Sequence, residues 1–180
     1  MGSIIYGLAE ACVDISVQLP KAKLPAEFEG GVLEVVKHPP LHSLEISRLD
    51  SSNSHAAPGG SLANSLAAIS QLGGDAILTA KHGDDRHGAF YSQVARGSRV
   101  QLTGEPVRGG KTGSVIVYVT ESGERYFLVD TGVNSTFSKS DIVPELMQRA
   151  RFLAIEGYLA ELGTTPQTAI WEAVGKANEM

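Results

Sequence analysis

The stretch from residue 58 to residue 80 constrains this chain most. Gly59-Gly60 stands before Ser61, then Leu62, Leu66, Ile69 and Leu72 recur at helical spacing, and Gly73-Gly74 stops the run. Residues 75–80 then read as a strand. Ser61 is the expected N-cap, because its hydroxyl can accept from a first-turn amide that has no helical partner. Ala63, Ala67 and Ala68 leave the helix thin enough to lie close against a sheet. A helix that glycines deliver straight into a strand is the repeating unit of an α/β layer.

The rest of the chain extends that pattern and interrupts it. Residues 3–8 read as a short buried strand. Residues 13–19 alternate, with Val13, Ile15, Val17 and Leu19 set against Asp14, Ser16 and Gln18, the period of a half-exposed strand. Residues 20–57 are irregular: 32–36 and 44–49 suit strands separated by Pro39-Pro40, and 51–57 suit a polar loop. A polar loop over 82–87 precedes a helix over 88–96. Residues 113–120 and a second strand to about Asp130 flank Glu121-Ser122-Gly123-Glu124 as a hairpin. Pro144 opens a helix to 149, residues 152–155 read as a buried strand, and Thr165-Pro166 starts a final helix with Ala169, Ile170, Ala173, Val174 and Ala177 on one face. The expected fold is a mainly parallel α/β sheet flanked by helices, with a small inserted β-sheet. The sheet is expected to be truncated at the C-terminus, since a helix after a strand ordinarily crosses back to a further parallel strand and Met180 arrives first.

Bulk properties exclude several function classes. The net charge of −5, with acids and bases interspersed, offers no basic footprint for a phosphate backbone, so no nucleic-acid partner is expected. Cys12 is the single cysteine, which leaves neither an internal disulfide nor a thiolate metal cluster. No apolar run has the length of a signal peptide or membrane span, and a soluble cytoplasmic protein is expected.

Few motifs carry chemistry. Residues 105–112 end in Gly110-Lys111-Thr112 like a phosphate-binding loop, but Glu105 replaces the first glycine and a valine-rich strand follows instead of a helix. His82 and His87 bracket Gly83-Asp84-Asp85-Arg86 without metal-ligand spacing. Gly59-Gly60 before a helix lets backbone approach a ligand with free N–H groups, and Asn64 adds a donor and an acceptor one turn on. This combination suits a polyhydroxylated molecule, and equally an ordinary glycine turn. Asp14, between Val13 and Ile15, can accept from two hydroxyls or stand exposed on its strand. Glu156, after the apolar run 152–155, falls at the carboxyl end of a strand, where open α/β sheets hold ligands; a plain surface glutamate fits the same place.

In order, these pieces resemble the PfkB/ribokinase family of carbohydrate kinases. The resemblance runs from Gly7 to Asp14, through Gly59-Gly60-x-x-Ala63-Asn64, Leu72-Gly73 and Gly83-Asp84-Asp85-x-x-Gly88. It continues with Thr112-Gly113, Gly123-Glu124-Arg125 and Gly132-x-Asn134 to Glu156-Gly157-Tyr158. It implies a kinase that phosphorylates a hydroxyl of a sugar, nucleoside or similar polyol with ATP and Mg²⁺. Asp14, Gly59, Gly60, Asn64 and Glu156 would hold the substrate, and residues 1–180 would be the N-terminal portion of the domain. Strands drawn from about 13–57 and 112–130 would form a lid that excludes water. Serine after the glycine pair leans towards the adenosine-kinase-like branch. The family's Gly-Ala-Gly-Asp loop, which supplies the general base, does not occur in these 180 residues. The base is therefore expected beyond Met180, no catalytic residue is assigned, and this chain alone is expected to bind no cofactor and to be inactive. The alternative is a non-catalytic polyol- or nucleoside-binding module or subunit of the same fold. A homodimer through the lid or an exposed sheet edge is also expected.

Overall fold

Tyr6 and Leu8, fully buried in β1 (Ile4–Leu8), mark the centre of the first sheet. The computed structural model describes residues 4–28, 35–49 and 52–179. β1 pairs in parallel with β5 (Asp75–Thr79) on one side and with β9 (Phe152–Ile155) on the other. β6 (Gln101–Thr103) continues the sheet beyond β5, so the strand order is β6-β5-β1-β9, all parallel.

Both faces of this sheet are covered, as parallel sheets require. Ala76 and Leu78 of β5 face α2 (Ser61–Gln71) and α3 (Arg86–Gly97), joining Leu66, Tyr91 and Val100. Ile77 turns to the opposite face with Tyr6 and Leu8. It meets Phe137, Met147 of α4 (Pro144–Gln148), Leu159 of α5 (Gly157–Ala160), and Ala169, Ile170 and Ala173 of α6 (Thr164–Glu179). The alternation along one strand thus fills two cores.

The second sheet has five strands in the order β3-β8-β7-β2-β4: β3 (Val35–Lys37), β8 (Arg125–Asp130), β7 (Gly113–Val119), β2 (Cys12–Gln18) and β4 (Ser54–Pro58). β7 and β8 form the hairpin expected from residues 113–130, whereas β2 runs parallel to β7 and antiparallel to β4. Val17, Ile116, Tyr118, Tyr126 and Leu128 give this sheet a core of its own. Phe28 packs edge-on against Tyr118 and Tyr126, and α1 (Pro39–Arg48) covers the cluster through Leu41 and Ile46.

Several local expectations change. Residues 44–48 are helical, because Pro39-Pro40 occupies the first positions of α1, where a fixed φ suits the turn, and His38 Nδ1 accepts from the Leu41 amide at 3.0 Å. The strand expected over 32–36 is seen from Val35, and 32–34 lie outside the described residues. Of the loop expected over 51–57, Ser54–Pro58 is instead β4, drawn into pairing by β2; Ser51 lies outside the described residues. Asp85, not a later residue, caps α3 by accepting from Gly88 N at 2.8 Å. β6 was not foreseen. β9 is an edge strand rather than a buried one among the described residues, with Phe152 51% exposed. No helix among them is long and apolar enough to cross a membrane.

Candidate functional site

The two sheets meet where β1 runs into β2, and two distant side chains pin this crossing. Glu10 N donates to Glu156 Oε2 at 2.9 Å. Asn134, fully buried, accepts from Ala11 N through Oδ1 at 3.0 Å, and its Nδ2 donates to Ala11 O at 2.8 Å. β4 returns beside the crossing, with Gly59 N donating to Cys12 O at 2.8 Å, and Gly60 then turns into α2 at φ +91°, a conformation that favours glycine.

Gly60, not Ser61, is the N-cap of α2, and glycine has no side chain with which to satisfy the first amides. Glu156 does it instead: Oε1 accepts from Leu62 N at 3.2 Å and from Ser61 Oγ at 2.8 Å, while its own N donates to Leu8 O at 2.9 Å. A carboxylate at a helix N-terminus is favoured by the helix dipole, which helps to hold this charge at 4% exposure.

A cavity of about 660 Å³ opens over this junction. Glu10, Gly60, Ser61 and Glu156 line it from the first sheet; Asp14, Val115, Phe127 and Val129 line it from one face of the second. The Asp14 carboxyl lies over Gly59, where an added β-carbon would stand 2.5 Å from Oδ1. The structure therefore brings Asp14, Gly59, Gly60 and Glu156 together. Asn64 is set apart: it is exposed and lines a groove of about 300 Å³ between α2 and α3. Leu62 and Leu66 take the sheet side of α2, and a residue two places from each points to the opposite side.

Glu10 escaped the sequence reading, although a lone acid between Ala9 and Ala11 at the end of an apolar strand was a signal. Burial first, and then the charge of Glu156, push its carboxyl up to about 7, against the lowering pull of Lys37. Burial also raises Asp14, partly offset by the Cys12 thiol 3.9 Å away, and it drives the Cys12 thiol well up. A pocket with this excess of carboxyl groups suits an uncharged hydroxylated molecule better than an anion.

The Gly83-Asp84-Asp85 loop is a fastening outside the cavity. Asp85 accepts from Thr112 Oγ at 2.6 Å and from Thr112 N at 3.0 Å, and Thr112 Oγ accepts from Gly83 N at 2.9 Å. Among the described residues no group of three His, Cys, Asp or Glu side chains is placed to hold a metal ion.

Residues 43–178 match the model of the pfkB family carbohydrate kinases. The chain belongs to the pfkB family. Among curated proteins, this pfkB chain is similar to Fructokinase-1 of Zea mays, 32% identical over 97 residues, covering 52% of the chain and 30% of that protein. It is also similar to Probable fructokinase-2 of Arabidopsis thaliana, 36% identical over 84 residues, covering 46% and 26%. Among solved structures, adenosine kinase from Sinorhizobium meliloti superposes with a TM-score of 0.85 at 25% identity, covering 99% of the chain and 54% of that protein. A probable sugar kinase from Rhizobium etli CFN 42 gives 0.85 at 22% with the same coverage, which shows the fold alone. The chain spans about half the length of these solved relatives and under a third of the curated ones.

Proposed function

We propose that this chain is the substrate-binding portion of an ATP-dependent phosphotransferase acting on a hydroxyl of a sugar, nucleoside or similar polyol. The observation that carries the reading is the cavity between the sheets, where the Asp14 carboxyl stands over the Gly59-Gly60 backbone. Asp14 would accept hydrogen bonds from two hydroxyls, and the glycines admit the ligand close to the main chain. Glu156 would act by holding the α2 N-terminus against β1, since three donors already occupy its carboxylate. Asn64 would contact only a ligand that also reaches the α2–α3 groove. The second sheet would serve as a lid that excludes water, with strands drawn from 12–58 and 113–130.

ATP and Mg²⁺ belong to the activity of a whole enzyme of this family. The described residues do not fit them: Gly110-Lys111-Thr112 leads into β7 instead of a helix N-terminus, and no acidic cluster is placed for a metal. The chain's own part is thus to bind and orient the acceptor, and its role alone would be that of a polyol- or nucleoside-binding module. Calorimetric titration with D-fructose and with adenosine tests the reading. Binding of either by the wild-type chain, lost in Asp14→Ala, supports it; binding of neither sinks it. In the same samples ATP and Mg²⁺ should give no phosphorylated product.

A further inference from the structure

We infer that Glu10 is a specificity-determining residue of this pocket, its carboxyl donating a hydrogen bond to an acceptor oxygen of an uncharged polyol beside the hydroxyls held by Asp14. The inference rests on the substrate reading above and names a ligand-facing group that it does not contain.

The geometry of Glu10 is set from several sides. Its amide is held by Glu156 Oε2 at 2.9 Å, its carbonyl accepts from the buried Tyr91 hydroxyl at 3.4 Å, and Asn134 grips Ala11 from both edges. The backbone is fixed while the side chain lines the cavity. Its carboxyl makes no hydrogen bond among the described residues.

The neighbouring acid differs in the opposite way. Glu156 accepts from Ser61 Oγ, Leu62 N and Glu10 N, all donors that favour a carboxylate. Glu10 has burial and the nearby Glu156 carboxyl set against its ionisation and no hydrogen-bond donor among the described residues to offset them, so it keeps its proton up to about 7. Glu161, beyond α5, adds to the repulsion, Lys37 of β3 opposes it, and Asp14 with Cys12 faces the cavity from β2. Glu10 therefore complements Asp14, one carboxyl donating where the other accepts. Ionisation of Glu10 would remove a donor and add a negative charge.

Two measurements on the 180-residue chain test this. Carbon NMR of glutamate carboxyls, with Glu10→Gln assigning the signal, should place the Glu10 midpoint near 7, and a midpoint near 4.5 overturns the inference. Calorimetry with D-fructose or adenosine should show affinity falling about tenfold between about pH 6 and about pH 8 in the wild-type chain, and a flat profile in Glu10→Gln, which donates at every pH. Equal slopes in the two proteins, with binding still lost in Asp14→Ala, overturn the role of Glu10 and leave the substrate reading intact. Failure of the wild-type chain to bind either compound at any pH refutes the substrate reading, and with it the donor.

Discussion

The carboxyl of Asp14 rests on the α-carbon of Gly59: a β-carbon there would lie 2.5 Å from Oδ1 and 2.8 Å from Cγ. Residue 59 must be glycine for Asp14 to hold this position. Gly59→Ala is therefore expected to displace the carboxyl and to weaken polyol binding about tenfold or more, with a stability loss of about 1–3 kcal/mol from overpacking. Titration calorimetry and denaturant melts of the same sample separate the two effects. Unchanged affinity would remove Asp14 from the binding site.

Glu156 links three chain segments through one buried carboxylate. Glu156→Ala leaves the amides of Glu10 and Leu62 without that acceptor, at an expected cost of about 2–4 kcal/mol in chemical denaturation. Glu156→Gln keeps one acceptor oxygen and should cost less. Equal losses would mean that the charge, which both variants remove, carries the whole effect and that the retained oxygen of Glu156→Gln contributes nothing.

Asn134 spans the crossing from the other side. Asn134→Leu removes both partners of Ala11 and is expected to destabilise by about 2–4 kcal/mol. Amide exchange at Ala11 should accelerate more than exchange in β5. Uniform acceleration would indicate global unfolding instead of a loosened junction.

Glu10 also makes stability depend on pH. Its folded-state carboxyl ionises near 7, whereas in an unfolded chain it ionises near 4.5. Between those values the unfolded state loses its proton first, so this contribution falls as pH rises and levels off above about 7. After allowance for water in the cavity, Glu10→Gln should gain on the order of 1–2 kcal/mol over wild type at about pH 8 and little at about pH 4. Urea melts at both values read the difference directly, and an equal difference at both would refute the shift.

Tyr158 and Trp171, each 66% exposed, and Phe152 lie on α5, α6 and β9, and β9 has a single strand partner among the described residues. Apolar surface beside an unpaired edge favours pairing with a second copy. Sedimentation should show concentration-dependent self-association that Phe152→Lys weakens. A monomer at all concentrations in both proteins rules this edge out, and the second sheet would then be the surface to examine.

Periodic elements were legible because their signals are local. The leucine spacing in α2, the Gly123 turn of the β7–β8 hairpin and the alternation of β2 each reflect neighbours within a few residues. Ser54–Pro58 was not legible, because a short polar segment becomes a strand only when β2 offers its edge. Residues 44–48 misled for a related reason: their apolar residues suit a strand as well as a helix, and the proline pair upstream decides between the two.

The sequence by itself determined the α/β class and the inserted second sheet, and it singled out Asp14, Gly59, Gly60 and Glu156 as candidates, since each follows from periodicity, glycine placement or ordered motifs. Only the tertiary structure decided how those residues meet. Hydrogen bonds between residues 94 to 146 positions apart turn Glu156 into the cap of α2 and the anchor of Glu10, and the rotation of α2 carries Asn64 to another groove. The charge state of Glu10 belongs to the same class. A carboxyl takes its pKa from burial and from neighbouring charge, and neither exists until the sheets have closed around it.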